Sequence, residues 1–92
     1  MERLTAIKLK VGSAVRHMSL TALPHGAQAC VVAIEGSGVG TLRLMEMGVA
    51  PGAVISVVRT APLGDPLQIC VRNYHLALRR IDAEKITVLI AS

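Results

Sequence analysis

The side chains best suited to chemistry in this chain are His17, His25 and His75, the thiols Cys30 and Cys70, and a few carboxylates such as Glu46 and Asp65. Nucleophilic catalysis needs a base within reach of an activated Ser or Cys. The three histidines stand apart from any Ser or Cys in a recognisable nucleophile elbow. Metal binding needs ligands gathered at short spacing. There is no CxxC and no Cys/His pair at zinc spacing, and His25, His75, Cys30, Cys70, Glu46 and Asp65 are scattered, so only the fold could assemble them. Met45 and Met47, at helical spacing, are read as packing groups rather than soft-metal ligands. The stretch GSGVG, residues 36–40, has the glycines of a phosphate cradle but lacks its lysine, so it is read as a mobile loop. Asp65, between Gly64 and Pro66, is a turn former. The expectation is a chain with no catalytic residue and no metal ligand set, requiring no cofactor and binding transition metals at most weakly and adventitiously.

The elements that would position these groups must be built from aliphatic side chains. Hydrophobic residues make up 52% of the 92 residues but aromatics only 1%, so Val, Ile, Leu, Ala and Met have to fill the core. That length supports one domain. The mean hydropathy of +0.55 is high. Even so, charges, glycines or prolines interrupt every apolar run well short of the ~18–20 residues that cross a bilayer. Residues 1–17 show no apolar core of a signal peptide, so a soluble, cytoplasmic protein with no direct membrane insertion is expected. The net charge of +4 is concentrated at the start, where Arg3, Lys8, Lys10 and Arg16 oppose Glu2 within residues 1–18. The body is nearly neutral. With Tyr74 the one aromatic side chain, the base-stacking platform of a single-strand nucleic-acid binder is missing. The thiols are expected to be reduced, although a Cys30–Cys70 bridge stays open at this stage.

Along the chain, Ile7, Leu9 and Val11 alternate with Lys8 and Lys10, the period of a strand at a sheet edge. Ser19 is placed to cap a helical turn over Leu20 to Leu23. AQACVVAIEG reads as a buried strand, and TLRLMEMG as a short helix capped by Thr41 or Ser37 and stopped at Gly48. AVISVVRTA is the next strand, and APLGDP a stiff exposed connection. LQICVR and HLALR form a hairpin turning at Asn73-Tyr74, with Ile69, Val71, Leu76 and Leu78 inward. RIDAEKI gives a last helical turn capped by Asp82, and ITVLI closes the chain. These signals define a mainly β chain: a small barrel of about five strands with one short inserted helix and terminal helical turns.

The stretch LRLMEMGVAPG carries Leu42, Leu44, Met45 and Met47 around a helix whose solvent face is Arg43 and Glu46. That apolar arc is too wide for a helix resting on one surface. Leu44 and Met45 are expected to close the end of the barrel, leaving Leu42 and Met47 to a partner.

The residues RLMEMGVAPG, then APLGDP, then ICVRNYHLALR, in that order and spacing, resemble the FeoA family, small cytosolic components of bacterial ferrous iron uptake. The resemblance runs from about Ser19 to Val88. It implies an SH3-like barrel with the helix inserted after the first barrel strand. It also implies a role in supporting or regulating FeoB, a membrane transporter with a cytosolic GTP-binding portion. The family pattern begins at Met18 or Ser19. Residues 1–17 therefore stand as a basic extension, open to being an extra edge strand, before a domain of residues 18–92. Where the family usually has Gly in the hairpin turn, this chain has Asn73.

SH3-like folds bind peptides in grooves between loops. The candidate docking residues are accordingly Leu42 and Met47 on the helix, Pro62, Leu63, Asp65 and Pro66 in the loop, and Arg79 and Arg80 as polar contacts. The expected function is non-enzymatic, acting through a FeoB-like partner that recruits the protein to the inner face of the membrane. No nucleic acid is expected, and oligomeric state is open between monomer and weak homodimer. The alternative is a stand-alone module of metal-dependent regulation, similar to the C-terminal domain of iron-dependent repressors. A small nucleic-acid-binding barrel ranks behind both.

Overall fold

The computed structural model describes residues 15–36 and 38–91. The expected strand over Ile7 to Val11 lies outside them, as does Ser37. Six strands form one antiparallel sheet: β1 (Val15–Ser19), β2 (Gln28–Ile34), β3 (Val54–Thr60), β4 (Leu67–Val71), β5 (Tyr74–Leu78) and β6 (Ile86–Ala91), in the spatial order β1-β6-β2-β3-β4-β5. Helix α1 (Val39–Glu46) joins β2 to β3, and the single turn α2 (Arg80–Ala83) joins β5 to β6. Among the described residues the sheet does not close on itself, so β1 and β5 are its two edges.

The period-2 pattern works as expected in β4, where Leu67, Ile69 and Val71 point inward and Gln68 and Cys70 outward. The largest fully buried side chains are all aliphatic, among them Leu20, Ile55, Leu67, Ile69 and Ile86. Leu78 is buried opposite Leu67, while Leu76 is half-buried against the core. Two register shifts, between Val31 and Ala33 in β2 and between Val57 and Arg59 in β3, bend the sheet around this core. Cys30 and Cys70 are free and partly buried.

Ser19 caps as expected. Its Oγ accepts from the Thr21 amide at 3.2 Å and starts a 3-10 turn over Leu20–Ala22 that buries Leu20. Three expectations are corrected. Thr41 lies inside α1, whose N-cap is Gly38 at φ 100°, a conformation open to glycine and needing no side-chain cap. The hairpin turns one residue earlier than Asn73-Tyr74: Arg72 (φ 52°) and Asn73 (φ 68°) occupy the turn, and Tyr74 pairs with Val71 as the first residue of β5. Asp82 sits within α2, whose N-cap position is Arg79.

Strand β1 is the element without a sequence expectation, and it crosses the 17/18 division. Its five register pairs to β6 run from Val15↔Ala91 to Ser19↔Thr87. Starting the chain at Met18 removes three of those pairs, at Val15, Arg16 and His17. Each net backbone hydrogen bond contributes about 0.5–1.5 kcal/mol. The shortened protein is therefore expected to unfold cooperatively but at a melting temperature lower by roughly 5–35 °C. A calorimetric comparison with the full chain checks this.

Candidate docking surface

Helix α1 rests on Leu44, with Thr41 one turn before it and Met47 one turn after. At about 100° per residue these three share a face. Leu44 is buried and Met47 packs against the core. Met45, a quarter-turn or so from Leu44, is outside, 40% exposed. The two methionines thus exchange the places expected of them: Met45 is a surface residue and Met47 a packing one. Leu42 is 59% exposed, and with Val39 and Met45 it makes an apolar stripe at i, i+3 and i+6 that nothing in the chain covers among the described residues.

The end of α1 is closed in two ways. The Gly48 amide donates to the Met45 carbonyl at 3.0 Å and the Val49 amide to the Leu44 carbonyl at 2.9 Å, the paired bonds of a Schellman ending. It requires positive φ, which Gly48 supplies at 97°. Val49 and Leu44, the accompanying apolar pair, are both in the core. From the hairpin, the Tyr74 hydroxyl donates to the Met47 carbonyl. A Cβ on Gly48 would lie 3.0 Å from Arg72 Cδ, so the hairpin tip closes directly over the helix end.

The loop between β3 and β4 is pinned at its base. The Ala61 amide donates to the Pro66 carbonyl at 3.0 Å, and the Gly64 amide to the Ala61 carbonyl at 2.7 Å. Asp65 does more than turn the chain. Its Oδ1 accepts from the Arg80 amide at 2.9 Å, capping α2 from a distant loop, while Arg80 Nη1 donates to the Gly64 carbonyl at 3.2 Å. Leu63, at the tip, is 96% exposed. Asp65→Ala is expected to cost about 0.5–2 kcal/mol, the usual worth of a cap. Denaturant midpoints measure it, and the loop's amides should then exchange faster.

Two grooves flank β5. One, of about 620 Å³, lies between β5 and the loop and is lined by Arg59, Pro62, Pro66, Gln68, His75 and Ala77, among others. Arg59 Nε donates to Gln68 Oε1 at 2.9 Å across the β3–β4 pair. The other, of about 340 Å³, separates α1 from the end of β5, with Val39, Arg43, Met47, Ala77, Arg79 and Asp82 on its walls. The candidate residues therefore divide. Pro62 and Pro66 share the first groove, Met47 and Arg79 the second, and Asp65 is joined to Arg80, whereas Leu42 lines neither groove. Arg59, Gln68, Ala77, Val39 and Arg43 were not among the sequence candidates. Only Val39 carried a signal, as an apolar residue beside the helix, masked by the surrounding glycines. Cys70 and His75 face each other across β4 and β5, yet no group of three metal-capable side chains forms among the described residues.

Among the described residues, six antiparallel strands in an unclosed sheet with a helix between the second and third make a small, mainly β domain of SH3-like class. The FeoA domain model matches residues 18–89, and the chain belongs to the FeoA family. It is 45% identical over 75 residues to an "Fe(2+) transport protein A/Fe(2+) transporter FeoB fusion protein" of Porphyromonas gingivalis, covering 82% of this chain but 9% of that protein's length. The FeoA protein of Chlorobium tepidum superposes with TM-score 0.75 at 40% identity, covering 79% of this chain and 70% of that one. Stenotrophomonas maltophilia FeoA complexed with zinc, described as an SH3 domain protein, does so with TM-score 0.67 at 29% identity, over 77% of this chain and 88% of that one. A manganese-dependent transcriptional repressor matches at TM-score 0.72 and 17% identity, over 84% of this chain and 43% of that one, a likeness of fold alone.

Proposed function

We propose that this protein is a non-enzymatic accessory of ferrous iron uptake that docks onto the cytosolic, GTP-binding portion of a FeoB-type membrane transporter. One observation carries the proposal: in the Porphyromonas gingivalis relative, a segment 45% identical to this chain is fused to the transporter itself. A covalent link converts a bimolecular encounter into one at high effective concentration, so the fusion supports the reading that the two parts work at the same place. The exposed Val39–Leu42–Met45 stripe supplies apolar area for such a contact. No helix among the described residues is long and apolar enough to cross a membrane. On this proposal the protein is cytoplasmic and the partner brings it to the membrane.

The test is a titration of the protein against the separately expressed cytosolic portion of the FeoB-type transporter from the same organism. Saturable binding is expected; its absence at high micromolar concentrations would sink the proposal. The protein alone is expected to leave GTP unhydrolysed and to melt identically with and without a strong chelator. A chelator-induced drop of several degrees, with stoichiometric Fe²⁺ or Zn²⁺ binding at micromolar metal, would instead favour metal-dependent regulation.

A further inference from the structure

We propose that the free edge of β5 is a strand-addition site for an extended segment of the partner protein in which acidic and apolar residues alternate. This deepens the docking role proposed above and rests on it. Three observations converge on that edge.

First, the edge is open. The backbone bonds of β5 run to β4 alone among the described residues. In a two-residue hairpin the pair flanking the turn is hydrogen-bonded and pairs then alternate. With Val71↔Tyr74 as that first pair, Tyr74, Leu76 and Leu78 bond inward to β4. The amides and carbonyls of His75 and Ala77 point away from the sheet. They are the donors and acceptors a further strand would use.

Second, a groove lies on each side of the same edge, and Ala77 lines both. Side chains of an added strand would point alternately into one and the other. Residues opposite His75 and Ala77 would enter the outer groove beside Arg59 and Gln68. The residue opposite Leu78 would enter the inner groove, which Leu78 itself lines and where Val39, Leu44 and Met47 form an apolar wall.

Third, charge selects the occupant. Among the described residues the outer groove is lined by Arg59 and His75 and by no carboxylate, and the inner rim carries Arg43 and Arg79 against Asp82. The bond from Arg59 Nε to Gln68 holds the guanidinium by one side, and among the described residues its two terminal nitrogens are left for a carboxylate. A segment with carboxylates toward the outer groove and an aliphatic side chain toward α1 satisfies both walls. A basic segment does not.

The experiment uses the full chain and, as probe, a short blocked peptide of alternating Glu and Val, with a Lys/Val peptide as control. Amide hydrogen exchange is followed residue by residue. At saturating Glu/Val peptide, the His75 and Ala77 amides are expected to exchange at least tenfold more slowly, while Leu76 and Leu78, already bonded to β4, change little. Arg59→Glu should weaken the peptide at least tenfold. Ala77→Pro should abolish its binding, since an edge strand tolerates proline where the amide faces solvent. Should Ala77→Pro fail to fold, Arg59→Glu and the exchange pattern decide the matter. Uniform protection along β5, equal affinity for the Lys/Val peptide, or no protection would overturn the proposal. Protection of the same two amides on concentrating the protein alone would also overturn it, making a second copy the occupant. Repeating the exchange with the transporter's cytosolic portion separates the two readings. Binding that leaves His75 and Ala77 open removes the edge site and keeps the docking role. Failure of that portion to bind, with the peptide still protecting, removes the docking role and keeps the edge site.

Discussion

Leu44→Ser is expected to destabilise the protein by about 3–5 kcal/mol, combining a lost aliphatic side chain, a cavity and a hydroxyl in an apolar site. Leu44 is 6% exposed and serves twice, as a core residue and as the carbonyl that Val49 reaches to close α1. A domain of this size has roughly 5–14 kcal/mol of total stability. At about 4–8 °C per kcal/mol, the variant should melt some tens of degrees below the parent protein. Circular-dichroism melts check this. A drop under about 1 kcal/mol would mean that α1 contributes little to holding the sheet together.

Leu42→Ser should do the reverse. Leu42 is 59% exposed, so the folded protein should lose no more than about 0.5–1 kcal/mol, mostly in helix propensity. Binding to the transporter's cytosolic portion should fall roughly 5- to 30-fold, the 1–2 kcal/mol typical of an apolar group near an interface centre. Met47→Ser belongs with Leu44→Ser, because Met47 packs against the core. The informative neighbours of Leu42 are Val39 and Met45. Paired melts and titrations separate the two classes. If Leu42→Ser binds as well as the parent, docking does not use this face of α1.

The local features of the fold were legible wherever one residue decided the geometry. Ser19 capped the turn it preceded, and Gly48 took the left-handed conformation that ends α1. The alternation in LQICV specified the faces of β4 without ambiguity. Strand β1 escaped because VRHMS alternates poorly and its pairing partner, β6, lies at the far end of the chain. Helix α1 starts ahead of Thr41, one of its two expected caps, because Gly38 supplies an N-terminus that needs no polar side chain. The real cap of α2 comes from Asp65, fifteen residues before the amide it receives, where only tertiary structure could place it. The grooves were illegible for the same reason. The pairing Arg59↔Gln68 exists only after the register shift between Val57 and Arg59.

The hydrogen bond from Tyr74 to the end of α1 has a practical consequence. The chain has one Tyr and no Trp or Phe, so its whole intrinsic fluorescence comes from one ring. That ring is on β5, at the edge proposed for strand addition, and its hydroxyl holds the carbonyl of Met47. A phenol hydrogen-bonded to a carbonyl emits differently from one in water. Any event that lifts α1 off the hairpin, or seats a segment against it, should therefore change the signal from this single fluorophore without a dye or tag. A partner free of Trp and Tyr would leave it unobscured.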